Sequence, residues 1–287
     1  MSAPSSLIRW RVTDRPETWD RETLSRSRQR LELSDLRADP RVDRFTWLDQ
    51  VHGSRVVTVA APGAQCGVVA DAAVTDVPQA VLVIRSADCA PLLFEGINRQ
   101  RPPVDGVPHR VADGVADGVA DGGGRPVLGV AHAGWRGLLD GVVPRTVDAM
   151  RALGAESIVA FLGPCIGPEC YEFGAEALGP LRSAFGPAVE SRTAWGSVAL
   201  DLPAAVEAAV EGSGVAFGSP LAGWTCTACD AHRYSHRSRG EAERMALIAQ
   251  IRAVHVAEHP SDPKRRPGSL SDAKRRPGSL SDAKRRK

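Results

Sequence analysis

The chain has 287 residues, 43% of them hydrophobic, enough to bury a sizeable core in one large domain or two small ones. No apolar run approaches the ~18 residues of a membrane span and the segment Met1–Trp10 lacks a signal-peptide core, so a soluble, cytoplasmic protein is expected. The net charge of +2 is uneven: Ser261–Lys287 carries ten Lys/Arg and three Asp, a net +7, which leaves −5 for residues 1–260 and excludes a strongly basic nucleic-acid surface there.

Residues 1–45 are rich in Arg and Asp with weak periodicity, and Arg21–Leu33 has helical character. Phe45–Gln50 leads into Val51-His52-Gly53, and Arg55–Ala60 is a β-branched run that predicts a strand. Ala80–Arg85 predicts a second strand. It ends in Ser86-Ala87-Asp88-Cys89-Ala90-Pro91 before Leu92–Phe94 resumes extended structure. A carboxylate beside a thiol at the end of an apolar strand needs partners. Six cysteines do not make a disulfide framework in a chain of this length, and under reducing conditions they point to thiol or metal chemistry.

Residues 99–125 interrupt the pattern, with Val-Ala-Asp-Gly starting at 111, 115 and 119. Such a tract cannot bury a face and lacks the calcium-loop pattern, so a surface loop is expected. Val127–Ala131 is then a buried strand that delivers His132 at its carboxyl end, where α/β sheets hold ligands. Gly134 and Gly137 permit close backbone approach, and Arg136 suits an anion. Leu138–Leu153 has helical periodicity, with Pro144 tolerable only if the regular helix begins near it. Ser157–Leu162 is a strand running into the turn-rich Gly163–Gly174, and Ala175–Phe185 and Pro203–Glu211 are helical. The alternation predicts an α/β, or mixed α+β, fold.

Cys226-Thr-Ala-Cys229-Asp-Ala-His232-Arg-Tyr-Ser-His236 contains both halves of a zinc finger. Only two residues separate the halves, where a ββα finger needs about a dozen. A loop lining a pocket is expected here rather than a local metal site. From Ser261 a ten-residue repeat rich in Pro, Gly, Ser and charge holds too little apolar surface to fold.

Four motifs occur in one order: Gln50-Val-His52-Gly, Ala87-Asp88-Cys89-Ala-Pro91, Ala131-His132-Ala-Gly-Trp-Arg136-Gly and Gly163-Pro-Cys-Ile-Gly-Pro-Glu-Cys-Tyr-Glu172. Together they resemble the laccase-domain family of bacterial purine nucleoside phosphorylases, also called polyphenol oxidase or peptidoglycan editing factor. The likeness covers about Phe45 to Ile251. It implies a single-domain layered sheet-and-helix fold of the cytotoxic-necrotizing-factor-like type over 41–258. Residues 1–40 match it poorly, and the repeat composition of 259–287 predicts a disordered basic tail without a counterpart in the family. It also implies that His52, Cys89 and His132 bind one zinc ion, copper being less suited. Two imidazoles and one thiolate leave zinc a fourth position, as catalytic sites do. Asp88 then serves as general base or as a group orienting a ligand, and Arg136 as a clamp for phosphate or a transition-state anion.

The implied activity is phosphorolysis of adenosine, inosine, guanosine and 5′-methylthioadenosine, with hydrolytic deamination of adenosine. The implied partners are purine nucleosides and phosphate, with no nucleic acid and no membrane. Two other chemistries use the same residues. One is a Cys–His hydrolase or amidase of peptidoglycan precursors with Cys89 as nucleophile, and the other a copper-dependent phenol oxidase, which a single mixed Cys/His site serves poorly. The chain departs from its relatives in lacking a clear N-terminal Thr-x-Arg-x-Gly-Gly-Val-Ser segment. It also carries His236 where many have an aromatic ring.

Overall fold

Apolar runs without polar alternation make strands that are buried on both faces. The computed structural model describes residues 8–15, 44–101 and 124–251. In chain order its strands are β1 (Ile8–Val12), β2 (Phe45–Trp47), β3 (Val56–Thr58), β4 (Ala72–Thr75), β5 (Val81–Ser86), β6 (Ala90–Asn98), β7 (Arg125–Ala133), β8 (Glu156–Leu162), β9 (Glu190–Arg192), β10 (Val198–Leu200), β11 (Ala216–Phe217) and β12 (Met245–Ile251). The helices are α1 (Trp135–Leu139), α2 (Val142–Ala152), α3 (Ala175–Phe185), α4 (Leu202–Gly212) and α5 (His236–Arg239). A six-stranded sheet runs β11-β8-β6-β7-β4-β3, a four-stranded sheet β1-β12-β5-β2, and β9 pairs with β10. The fold is therefore mixed α/β, as the sequence predicts.

Strand periodicity explains the layering. Along β6, Leu92 and Phe94 face the helical core with Val143, Val147 and Met150 of α2 and Val206 and Val210 of α4. Between them Leu93 faces the opposite way, onto Leu82 and Ile84 of β5 and Leu247 of β12. Strands β7 and β8 repeat the split, Val127 and Ala160 toward the helices, Leu128 and Val159 toward the smaller sheet. The six-stranded sheet thus carries helices on one face and the four-stranded sheet on the other. No helix among the described residues is long and apolar enough to cross a membrane.

Three details differ from expectation. Strand β7 continues to Ala133, so His132 lies inside the ladder, opposite Pro91 of β6. The periodic stretch 138–153 divides at Asp140–Gly141, where Gly141 takes φ 84°, and Pro144 then falls in the first turn of α2, where a missing N–H costs nothing. Strand β1 lies in a segment whose sequence shows no clear period, and it pairs antiparallel with β12, Ile8 opposite Ile251. The helix expected over Arg21–Leu33, most of the 99–125 loop and the tail from 259 lie outside the described residues.

Candidate metal centre and substrate cavity

The order β6-β7-β4 delivers the chemistry to one sheet edge. His132 on β7 sits opposite Pro91, so Cys89, two residues before Pro91, lies beside the end of β7. Ala131 pairs with Ala72 of β4, and the His132 N–H donates to the Asp71 carbonyl at 2.7 Å. His52 arrives from the loop between β2 and β3. One ligand atom from each of His52, Cys89 and His132 lies within 4.8 Å of the others, a group able to hold a metal ion. The His52 and His132 rings meet edge-on, with centroids 4.8 Å apart.

Asp71 fixes this arrangement. Its fully buried carboxylate accepts the backbone N–H groups of Val51, His52 and Gly53 at 3.2, 2.9 and 2.8 Å. The same carboxylate lies 2.9 Å from Nδ1 of His132, which leaves Nε2 to face the other ligands. His52 adopts φ 62°, a left-handed conformation that a non-glycine residue holds only when its surroundings impose it. Here three hydrogen bonds to one carboxylate impose it. Asp71 was absent from the sequence reading, because one Asp ahead of Ala-Ala-Val looks like a loop residue.

The local charges favour a thiolate. Burial alone pushes the Cys89 thiol up, but His132 and His52 beside it outweigh burial and bring it down to about 6. For His132, burial favours the neutral ring, and Cys89 and Asp71 override it, raising the imidazole to about 9. Asp71 itself is held below the usual carboxylate range: its burial is outweighed by His132 and by the N–H groups of Gly53 and Val51.

Glycines set the close approaches. A Cβ at Gly134 would lie 3.0 Å from Cys89 Sγ and 3.1 Å from the His52 ring, and one at Gly137 would lie 2.8 Å from the Gly53 carbonyl. The ligand group opens into a cavity of about 540 Å³, the size of small-molecule sites. Its walls include Trp135 and Tyr171 with Arg85, Arg136, Arg237 and Arg244. Arg136 stacks on Trp135, 4.5 Å from the ring centroid, and forms no ion pair among the described residues. Arg237 lies over Tyr171 at 4.7 Å.

Asp88 also lines the cavity and is buried at φ 92°. Its Oδ1 accepts the Thr227 hydroxyl at 2.7 Å and its Oδ2 accepts the Arg237 backbone N–H at 2.6 Å. These bonds tie the 226–239 segment to the metal-side turn. His236 and Arg237 of that segment face the cavity.

Three outcomes follow from this geometry. Asp71→Asn puts an amide donor against either the Val51–Gly53 N–H groups or His132, and metal affinity should fall about 10–100-fold in a chelator competition; unchanged affinity would contradict the role given to Asp71. Gly137→Ala should lower the melting temperature through a clash worth about 1–3 kcal/mol, because the obstacle is backbone, and an unshifted melting curve would count against it. In chelator-treated protein, Cys89 should stay thiolate, and alkylate rapidly, down to about pH 6, protonating only below it. Reactivity that already fades near the ordinary thiol value of 9.0 would refute the charge arrangement.

Residues 18–121 and 110–252 match the family described as multi-copper polyphenol oxidoreductase laccase. The chain is 35% identical over 212 residues to a purine nucleoside phosphorylase of Xylella fastidiosa, with 71% of each chain covered. Against a purine nucleoside phosphorylase of Streptomyces coelicolor it is 35% identical over 221 residues, covering 75% of this chain and 78% of that one. Among solved structures, YlmD from Geobacillus stearothermophilus is similar at TM-score 0.65 and 25% identity, covering 88% of this chain and 94% of that one. A Neisseria meningitidis protein shares the fold at TM-score 0.64 and 22% identity, covering 87% and 96%. By the extent of these matches, the chain belongs to the multi-copper polyphenol oxidoreductase laccase family.

Proposed function

We propose that the protein is a zinc-dependent purine nucleoside phosphorylase acting on adenosine, inosine, guanosine and 5′-methylthioadenosine, with adenosine deamination as a second activity. The observation that carries this reading is the joining of a His52–Cys89–His132 group to a cavity walled by aromatic rings and arginines. The names of the relatives point the same way. Two imidazoles and a thiolate suit zinc, which prefers nitrogen and sulfur donors and in catalytic sites takes three protein ligands. Bound there, zinc supplies Lewis acidity toward an oxygen of the substrate.

The protein's own residues supply the rest. Trp135 and Tyr171 offer faces for a purine ring. Arg136, exposed and without an acidic partner among the described residues, binds phosphate and holds it against the sugar. In phosphorolysis a phosphate oxygen bonds to the sugar C1′ as the bond from C1′ to the base nitrogen breaks, and the base leaves with a proton. Both carboxylate oxygens of Asp88 already accept hydrogen bonds, so we assign it to positioning Thr227 and Arg237 rather than to proton abstraction. A cytoplasmic location fits soluble nucleosides as substrates.

One observation favours a second reading. Cys89, His132 and Asp71 stand in the order thiolate, imidazole and carboxylate that cysteine hydrolases use. A hydrolase of that kind has no use for His52 on the same thiolate, whereas a metal site does. Copper-dependent phenol oxidation by a multinuclear centre needs more imidazoles than the two that converge among the described residues.

The test is release of hypoxanthine from inosine with and without phosphate. Wild type should turn over only with phosphate, Cys89→Ala should lose activity together with the metal held by His52, Cys89 and His132, and Arg136→Ala should raise KM for phosphate about tenfold or more. Phosphate-independent release, or full activity in Cys89→Ala, would overturn the assignment. A covalent adduct on Cys89 in active metal-free protein would favour the hydrolase.

A further inference from the structure

A second cluster of soft donors shares no residue with the first. Glu169 and Cys170 lie in a short turn, Pro168–Cys170, and Cys226 and Cys229 lie in the segment before α5. The two segments are stitched together by a parallel backbone β-bridge between Cys165 and Cys226, both free thiols, in which the Thr227 N–H donates to the Cys165 carbonyl at 3.1 Å. Cys170 Sγ and Cys229 Sγ are 3.4 Å apart, and Cys229 Sγ is 3.6 Å from Glu169 Oε1. One donor atom from each of the four side chains lies within 4.8 Å of the others.

Several features shape this cluster for a cation. The Cys226 sulfur receives the Gly167 N–H at 3.2 Å and further N–H groups from Ala228 and Cys229, while burial outweighs them and pushes the thiol up to about 11, so a cation binds there by displacing the proton. The Glu169 carboxylate folds inward over Gly167, so closely that a Cβ there would meet Oε2 at 2.3 Å. Glu169 forms no ion pair among the described residues, and the Arg239 guanidinium beside the cluster donates to the Thr227 and Ala228 carbonyls rather than to the four donor side chains.

We propose that Glu169, Cys170, Cys226 and Cys229 form a second metal site, structural in role, that takes a thiophilic divalent ion, zinc. Three sulfurs and one oxygen make a complete tetrahedral set of protein ligands, unlike the three of the His52–Cys89–His132 group. Zinc–sulfur bonds of about 2.3 Å place tetrahedral sulfurs about 3.8 Å apart, whereas a disulfide needs about 2.0 Å. The 3.4 Å between Cys170 and Cys229 lies closer to the zinc value. Calcium and magnesium prefer oxygen donors and are disfavoured. On binding, the thiols release their protons to solvent. The ion joins the loop carrying Tyr171 and Glu172 to the segment carrying Thr227 and Arg237. Arg237 already donates to the Glu172 carbonyl at 2.7 Å, so the site braces one wall of the cavity.

The experiment counts metal in the full chain purified under reducing conditions. Wild type should hold about two zinc ions, and Cys89→Ala should keep about one. Cobalt-loaded Cys89→Ala, stripped of the first site's sulfur, should show intense thiolate-to-cobalt absorption, and adding Cys226→Ser with Cys229→Ser should abolish it. Because that variant risks misfolding, alkylation of folded Cys89→Ala gives a second measurement: zinc should protect Cys170, Cys226 and Cys229, and a chelator should expose them. Cys89→Ala that binds neither zinc nor cobalt, or a Cys170–Cys229 disulfide in the zinc-supplied protein, would overturn the site. Neither readout uses nucleoside turnover, so the result is independent of the proposed reaction.

Discussion

The buried carboxylate of Asp71 is the interaction on which the site depends. It spends its hydrogen-bonding capacity on three consecutive backbone N–H groups and one imidazole. Each bond to a charged acceptor contributes about 1.5–3 kcal/mol, and together they offset the cost of burying the charge. In return the loop before β3 is held with His52 in a left-handed conformation, and the ring of His132 is turned toward Cys89. One anion thus positions two of the three side chains that could hold a metal ion.

The sheets determine where that anion meets its partners. At Ser86–Cys89 the chain leaves β5 of the smaller sheet and enters β6 of the larger one, so Cys89 lies at the crossing. Adjacent strands β6, β7 and β4 then place Cys89, His132 and Asp71 side by side. Leu93, Leu128 and Val130 pack this junction onto the four-stranded sheet, and Phe94, Val127 and Met150 pack it onto the helices. Burial on both faces gives the sheet edge the rigidity that ligand geometry requires.

Much of this was legible in the sequence wherever an apolar strand ended in a polar side chain. Ala80–Arg85 and Val127–Ala131 announced themselves by composition and pointed at Cys89 and His132. His52 had no such signal and rested on its motif alone. Asp71 was invisible because its role is defined by backbone groups 18 to 20 residues earlier, which carry no residue-type signature. Strand β1 was hidden because its partner β12 lies at the other end of the described chain. The Cys226–His236 segment reads as a loop lining a pocket, and His236 does line the cavity, whereas nothing local links that segment to Cys170, 59 residues before Cys229. In each miss the information lies in tertiary pairing rather than local pattern.

The proposed chemistry rests on one zinc ion gripped by His52, Cys89 and His132. Anomalous diffraction measured above and below the zinc absorption edge, on crystals of active protein, tests it directly. A zinc peak about 2.0–2.1 Å from a nitrogen of each imidazole and about 2.3 Å from Cys89 Sγ is the predicted result. Active crystals with no anomalous peak among these three side chains would contradict it.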